Sequence, residues 1–178
     1  MRKFNQALLG KWLWRYAHEE DAWWRSVLVA KYGSMWGGWH SYVINEAHGV
    51  GLWKYICMGW HNFERHFRFD PGVGSRIRFW EDVWCGESSL KDTFPGLFSI
   101  ASVKEASIAD NVERFNGAIQ WNIVFTRLIH DWEVETLASF YRCLYLFKFR
   151  GHLEDKLWWI PSSKGFFEEH VLSGSLSA

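Results

Sequence analysis

Between Trp53 and Phe79 the apolar residues change their period, and that change limits what the middle of this chain can become. Trp53, Ile56, Trp60, Phe63 and Phe67 recur at three- and four-residue spacing, which places them on one face of a helix. Gly59 falls inside that helix at a cost of about 1 kcal/mol relative to alanine. The period then drops to two: Phe67 and Phe69, then Ile77 and Phe79, alternate with polar residues around a turn containing Pro71, Gly72 and Gly74. Alternation on both sides of a glycine turn predicts a short β-hairpin.

The flanking segments extend this into a mixed α+β chain of N-terminal helices, short hairpins and one later helix. Leu8, Leu9, Trp12 and Tyr16 predict an amphipathic helix over 4–16. A second helix follows the acidic run Glu19, Glu20, Asp21, with Trp24, Val27, Leu28 and Lys31 along one face and Gly33 as its stop. Residues 34–50 carry no sustained period and read as loop, and 81–111 are mostly irregular, with one helical turn at "FPGLFSIA". From Trp121 a strand leads into a helix capped by Asp131, with Glu133 and Glu135 in its first turns and Leu137, Phe140, Tyr141 and Leu144 on one face. "DKLWWIPSSKGFF" predicts a second hairpin turning at Ser162, Ser163, Lys164 and Gly165. The tail 168–178 is small and polar, and frayed.

Charge and cysteine content narrow the function classes. Twenty basic and twenty acidic residues give zero formal net charge, without the basic excess of a dedicated phosphate-backbone binder. Three dispersed cysteines, Cys57, Cys85 and Cys143, offer neither a disulfide framework nor a C-x-x-C zinc pair. No secretory leader and no eighteen-residue apolar run is present, so an intracellular chain in cytoplasm or nucleus, with no membrane partner, is expected. The unusual quantity is the aromatic load, 14 Trp, 14 Phe and 6 Tyr. So many rings rarely fit one small core, which points to a partner surface or to a piece of a larger protein.

Each candidate for chemistry has a plainer structural counterpart. "GVGS" lacks the spacing of a phosphate loop and opens no helix, so it reads as a turn. Arg76 and Arg78 would share a strand face with Trp80 on the same side, a pattern able to pair phosphates and stack bases, or equally to form a solvated face. Cys57 and His61 stand four apart but are too few for a zinc site and lack a third group to orient a nucleophile. Acidic residues cluster at 19–21, at Glu81–Asp82 and at Glu154–Asp155, where they cap or solvate elements. No Asp-Asp pair suited to divalent-metal chemistry occurs in the chain. No catalytic residue, metal ligand, cofactor site or small-molecule substrate is identifiable.

Several of these segments, taken in order, resemble a known family. "FNQALLGKWLWRY" at 4–16, "AKYG" at 30–33, "HGVGLWKYI" at 48–56, "RIRFWEDVWCGESSLKDTFPGLFSIA" at 76–101, "HDWEVE" at 130–135 and "EDKLWWIPSSKGFF" at 154–167 are similar to plant non-LTR (LINE-type) retrotransposon polyproteins, downstream of their reverse transcriptase core. The element Phe79 to Gly86 is the most specific. The resemblance covers roughly residues 2–167. It implies a connector between the polymerase and the zinc-binding region, whose natural partners are those flanking domains. The aspartate pair of the polymerase and the cysteine cluster of the zinc region are not in this sequence, so no family active-site residue carries over and no enzymatic activity is expected. His40 stands where the family pattern leads one to expect cysteine, Asp70-Pro71 precedes the turn where a valine-like residue and glycine are common, and "EEHVLSGSLSA" replaces the helix that would follow Phe167. These departures fit a decayed reading frame in which Met1 was an internal methionine.

Three function classes follow. A polyprotein connector that helps hold template RNA or target DNA would do so through Arg76, Arg78 and Trp80, with Arg65 and Arg68 on the preceding segment. An aromatic-rich binding module would stack a ligand such as a carbohydrate on exposed tryptophans. A relic would have no molecular function and would not fold cooperatively alone.

Overall fold

The helical period of the N-terminal third is realised as helices, and the alternating period around Phe67–Phe79 is realised in an unexpected pairing. The computed structural model describes residues 2–42, 51–115, 118–147, 153–162, 165 and 167, with side chains of 2–8 and 114–115 left aside. Among these residues there are seven α-helices and two two-stranded sheets, a mixed α+β fold. The helices are α1 Arg2–His18, α2 Trp23–Tyr32, α3 Leu52–Met58, α4 Trp60–Phe63, α5 Leu90–Thr93, α6 Pro95–Ile100 and α7 Val134–Leu146. The strands are β1 Phe67–Asp70, β2 Val112–Phe115, β3 Ala118–Trp121 and β4 Lys156–Trp159. No helix among the described residues is long and apolar enough to cross a membrane. The chain divides into two units, one of residues 1–68 with 157–178, the other of residues 69–156.

The first unit is held by rings between helices. α1 packs on α3 and α4, burying Leu13, Tyr16 and Ala17 against Trp53, Ile56 and Phe63. The buried face of α1 is thus turned from the expected one, and Trp12 stays partly exposed beside Trp24, ring centroids 5.5 Å apart. The long helix expected through Gly59 is two helices. Gly59 N–H bonds back to Ile56 O at 3.0 Å, closing α3, and α4 restarts immediately. The expected face survives the break, since Trp53, Ile56, Phe63 and Phe67 are buried. α2 ends at Gly33 as expected, with φ 73° and its N–H on Val29 O. Its acidic prelude does not cap it: Glu19 binds the Arg15 guanidinium and Trp24 Nε1 instead. Leu157 and Trp159 of β4 complete this core, and Trp159 meets Phe63 at 5.5 Å and Phe167 at 4.9 Å between ring centroids.

The second unit is built around backbone turns. The expected hairpin between 67–69 and 77–79 does not form. β1 neighbours β4, and Ile77–Phe79 instead bond to 106–108, through Phe79 N–H to Ala106 O and Ile108 N–H to Ile77 O, both 2.9 Å. Sequence alternation fixed which residues lie inside but not the partner, because a period of two is satisfied by any neighbouring extended segment. α5 starts at Ser89, whose Oγ accepts the Asp92 N–H, and α6 starts at Pro95 in the first turn, where a missing N–H costs nothing. β2 and β3 pair antiparallel from Val112↔Trp121 to Phe115↔Ala118. α7 buries Phe140 and Leu144 on the predicted face. Asp131 does not cap it: the N-cap of α7 is Glu133, without a side-chain cap, and Asp131 lies in the preceding 3-10 turn Asp131–Glu133, which His130 opens with its N–H donating to Glu133 Oε2 at 3.0 Å. The C-terminal turn of β4 is closed by Gly165, whose carbonyl accepts the Trp159 N–H at 2.9 Å. Ser163, Lys164 and the tail 168–178 lie outside the described residues.

Candidate functional site

The glycine turn is an anion cradle, and the chain fills it itself. Gly72 and Gly74 N–H donate to Asp155 Oδ1 at 2.8 and 2.7 Å, and Arg76 N–H donates to Oδ2 at 2.8 Å. Three backbone N–H groups from one turn, two residues apart along the chain, converge on one carboxylate and make a concave positive site. Here the occupant is a carboxylate 83 residues away in sequence and only 6% exposed. Glycine is required on both sides of the cradle. A Cβ on Gly72 would stand 2.0 Å from Leu153 O, and Gly74 sits at φ 83° with Ile108 Cβ 2.8 Å from where its own Cβ would be. Asp155 therefore does not solvate an element end, as its position before a strand suggested. It joins the turn to the end of the unit.

The element Phe79–Gly86 is core rather than display. Trp80 is 1% exposed and stacks on Phe140, centroids 5.3 Å apart and planes 12° from parallel. Trp84 is also buried, and its Nε1 donates to Phe79 O at 2.8 Å. Asp82 Oδ2 accepts the Arg78 N–H at 2.7 Å, pinching the turn, and burial pushes its carboxyl up to about 6. The tryptophan proposed for base stacking has no free face, because a residue next to Phe79 at a turn has left the alternation that would have kept it outside.

The five residues singled out for nucleic-acid contact fall into two environments. In the second unit the Arg78 guanidinium is paired with Glu81, which also lies 3.9 Å from Lys91 Nζ. The Arg76 guanidinium is partly buried. That burial pulls it down from its ordinary value, against the attraction of Asp155 and Glu154. In the first unit Arg65 and Arg68 are exposed. Arg65 Nη2 donates to His61 Nε2 at 3.0 Å, so His61 carries its proton on Nδ1 and donates to Glu64 Oε1 at 2.7 Å. Arg68 lies over the Trp158 ring, 5.9 Å from its centroid. Among the described residues, then, Arg65 and Arg68 rest on neutral rings, not on carboxylates.

The other candidates dissolve into structure. Cys57 and His61 do not meet as a nucleophile and base. Cys57 Sγ is 3.3 Å from Ser41 Oγ, which also accepts from Trp53 Nε1 at 3.0 Å, and burial pushes the Cys57 thiol up. His40, half-buried against Trp60 with centroids 4.2 Å apart, is held below its ordinary value by that partial burial. No three His, Cys, Asp or Glu side chains among the described residues gather closely enough to hold a metal ion. Sequence reasoning missed the Asp155 cradle, and the only local cue was a glycine turn rich in N–H groups with no acceptor nearby.

Comparison with known proteins gives one partial likeness. The chain is 32% identical over 100 residues to an Arabidopsis thaliana protein named "Putative ribonuclease H protein". The match takes in 50% of this chain and 14% of that protein, so the chain corresponds to a small part of its relative's length. No family model and no solved structure matches.

Proposed function

We propose that this chain is a non-catalytic connector segment of a LINE-type retrotransposon polyprotein, lying between the reverse transcriptase and the zinc-binding region. The observation that carries this is the half-chain likeness to a far longer plant protein named for ribonuclease H, joined to the ordered family motifs from 4–16 to 154–167. The fold supports it in a specific way. The most family-specific element, Phe79–Gly86, is spent on a buried turn, and the acidic clusters at 19–21, 81–82 and 154–155 supply an ion pair, a turn acceptor and a cradle occupant. A segment whose distinctive residues hold itself together serves to space and orient its neighbours.

Contact with template RNA or target DNA falls to Arg65 and Arg68, beside Trp158. Their charges are not matched by carboxylates among the described residues, and a ring beneath a guanidinium suits a base or sugar approaching the same edge. Fluorescence-anisotropy titration of a single-stranded RNA tests this. Arg65→Ala with Arg68→Ala should weaken binding about tenfold or more and lower the slope of log affinity against log salt by about two. The Arg76→Ala and Arg78→Ala pair should change that slope little. Equal salt slopes for wild type and the Arg65/Arg68 variant would remove nucleic acid from the proposal while leaving the connector role. An RNA–DNA hybrid incubated with the protein and magnesium should stay uncut, and cleavage would refute the non-catalytic assignment.

A carbohydrate-stacking role is favoured by strongly exposed tryptophans, Trp23 at 79% and Trp132 at 76%, the latter carrying His130 on one face at 4.3 Å between centroids. Oligosaccharide titration followed by tryptophan fluorescence decides it, since a Trp132→Ala variant would abolish any response that arises there.

A further inference from the structure

We propose that Cys85 and Cys143 form an intramolecular disulfide on exposure to a small-molecule disulfide such as glutathione disulfide, locking α7 to the Phe79–Gly86 turn. The two residues are 58 apart in sequence, yet their sulfurs lie 2.9 Å from each other. Each thiol also faces the other residue's carbonyl, Cys85 Sγ to Cys143 O at 3.4 Å and Cys143 Sγ to Cys85 O at 3.9 Å. The approach is enforced from both sides. Cys85 follows the buried Trp84, and Cys143 stands on α7 between the buried Phe140 and Leu144. Metal binding is a poorer use of the pair, because no third ligand gathers there among the described residues.

The two sulfurs are unequal, which assigns their order of reaction. Cys143 is partly exposed, whereas Cys85 is buried. Burial, then the adjacent Cys143 sulfur, pushes the Cys85 thiol well above its ordinary value, so Cys85 is a poor first attacker. Cys143, as thiolate, attacks one sulfur of glutathione disulfide, whose S–S bond breaks and releases one glutathione thiolate. That thiolate takes up the proton Cys143 gave to water. Cys85 then attacks Cys143 Sγ in the mixed disulfide, and the second glutathione leaves with the Cys85 proton. Two electrons pass from the two protein thiols to one glutathione disulfide, giving two glutathione thiols and one protein disulfide.

Cys57 is an internal control, since it belongs to the other unit and its partner is the Ser41 hydroxyl. The experiment equilibrates the purified chain in glutathione buffers of decreasing reducing power, blocks free thiols with a maleimide, and maps peptides by mass spectrometry. The expected product is a single Cys85–Cys143 linked peptide, with Cys57 blocked as a free thiol throughout. Cys85→Ser should leave Cys143 carrying one stable glutathione, because the resolving thiol is gone. Cys143→Ser should leave Cys85 unmodified. If either variant fails to fold, the wild-type peptide map alone decides. A lasting glutathione adduct on wild-type Cys143, or a linked peptide that forms only in denaturant, would overturn the proposal.

Discussion

The arginines singled out for nucleic-acid contact meet opposite kinds of partner in the two units. In residues 69–156 charge is consumed internally: Arg78 on Glu81, three backbone N–H groups on Asp155, and the Arg78 N–H on Asp82. In the first unit the exposed Arg65 and Arg68 rest on an imidazole and an indole. A guanidinium on a carboxylate has spent its field, while one on a neutral ring still presents it to an outside anion. Sequence position put Arg76, Arg78 and Trp80 first for binding; the partner each cation meets is why we propose Arg65 and Arg68 first instead.

The sharpest way to break this contrast is to empty the cradle. Asp155→Ala leaves two buried N–H donors and one part-buried one without an acceptor and should cost about 3–5 kcal/mol of the second unit's stability. Hydrogen exchange would show the loss concentrated at 72–76 and 106–108, with amides of α1 and α3 less affected. Uniform loss over all amides would mean the two units unfold as one. Gly72→Ala should approach the same cost, since its Cβ collides with backbone rather than a yielding side chain.

A smaller effect follows from pH. The Asp82 carboxyl titrates at about 6 in the folded chain, above its ordinary 3.8. The folded state therefore binds the extra proton between these values, and stability falls as pH rises from about 4 to 6 and levels above that. The fall should be on the order of 3 kcal/mol, and Asp82→Asn should flatten it, as urea midpoints across that range would reveal. Glu133 works in the opposite sense in a lower window. Hydrogen bonds from the Arg127 guanidinium, then from the His130 N–H, bring it down to about 2, so its contribution is lost as pH falls from about 4.5 towards 2. Arg127→Ala should remove that acid-limb loss without touching the limb between 4 and 6. The smallest effect belongs to the first unit: Arg65→Ala and Arg68→Ala should shift stability by no more than about 0.5 kcal/mol each, whatever they do to RNA binding.

What the sequence disclosed was local. The face of α7, the stop at Gly33 and the buried positions Trp53, Ile56, Phe63 and Phe67 follow from spacing alone, because helix geometry brings near neighbours together. What it hid was choice of partner. Ile77–Phe79 alternate as a strand should, but their ladder runs to 106–108, and β1 neighbours β4 rather than the segment across the glycine turn. The Asp155 cradle left only the N–H groups of the glycine turn as a local cue. Its donors and acceptor are each ordinary until the fold brings them within 3 Å.

One short stretch, "EDKLWW" at 154–159, has a consequence for how the protein is made. Asp155 closes the cradle of the second unit, and two and four residues later Leu157 and Trp159 enter the core of the first, at 3% and 0% exposure. During vectorial synthesis everything up to residue 153 emerges with both units short of a final piece. A ribosome paused there would hold a nascent chain whose tryptophans have no finished core to enter, and chaperone demand should peak at that point. Release of the next six residues would then let both units close almost together.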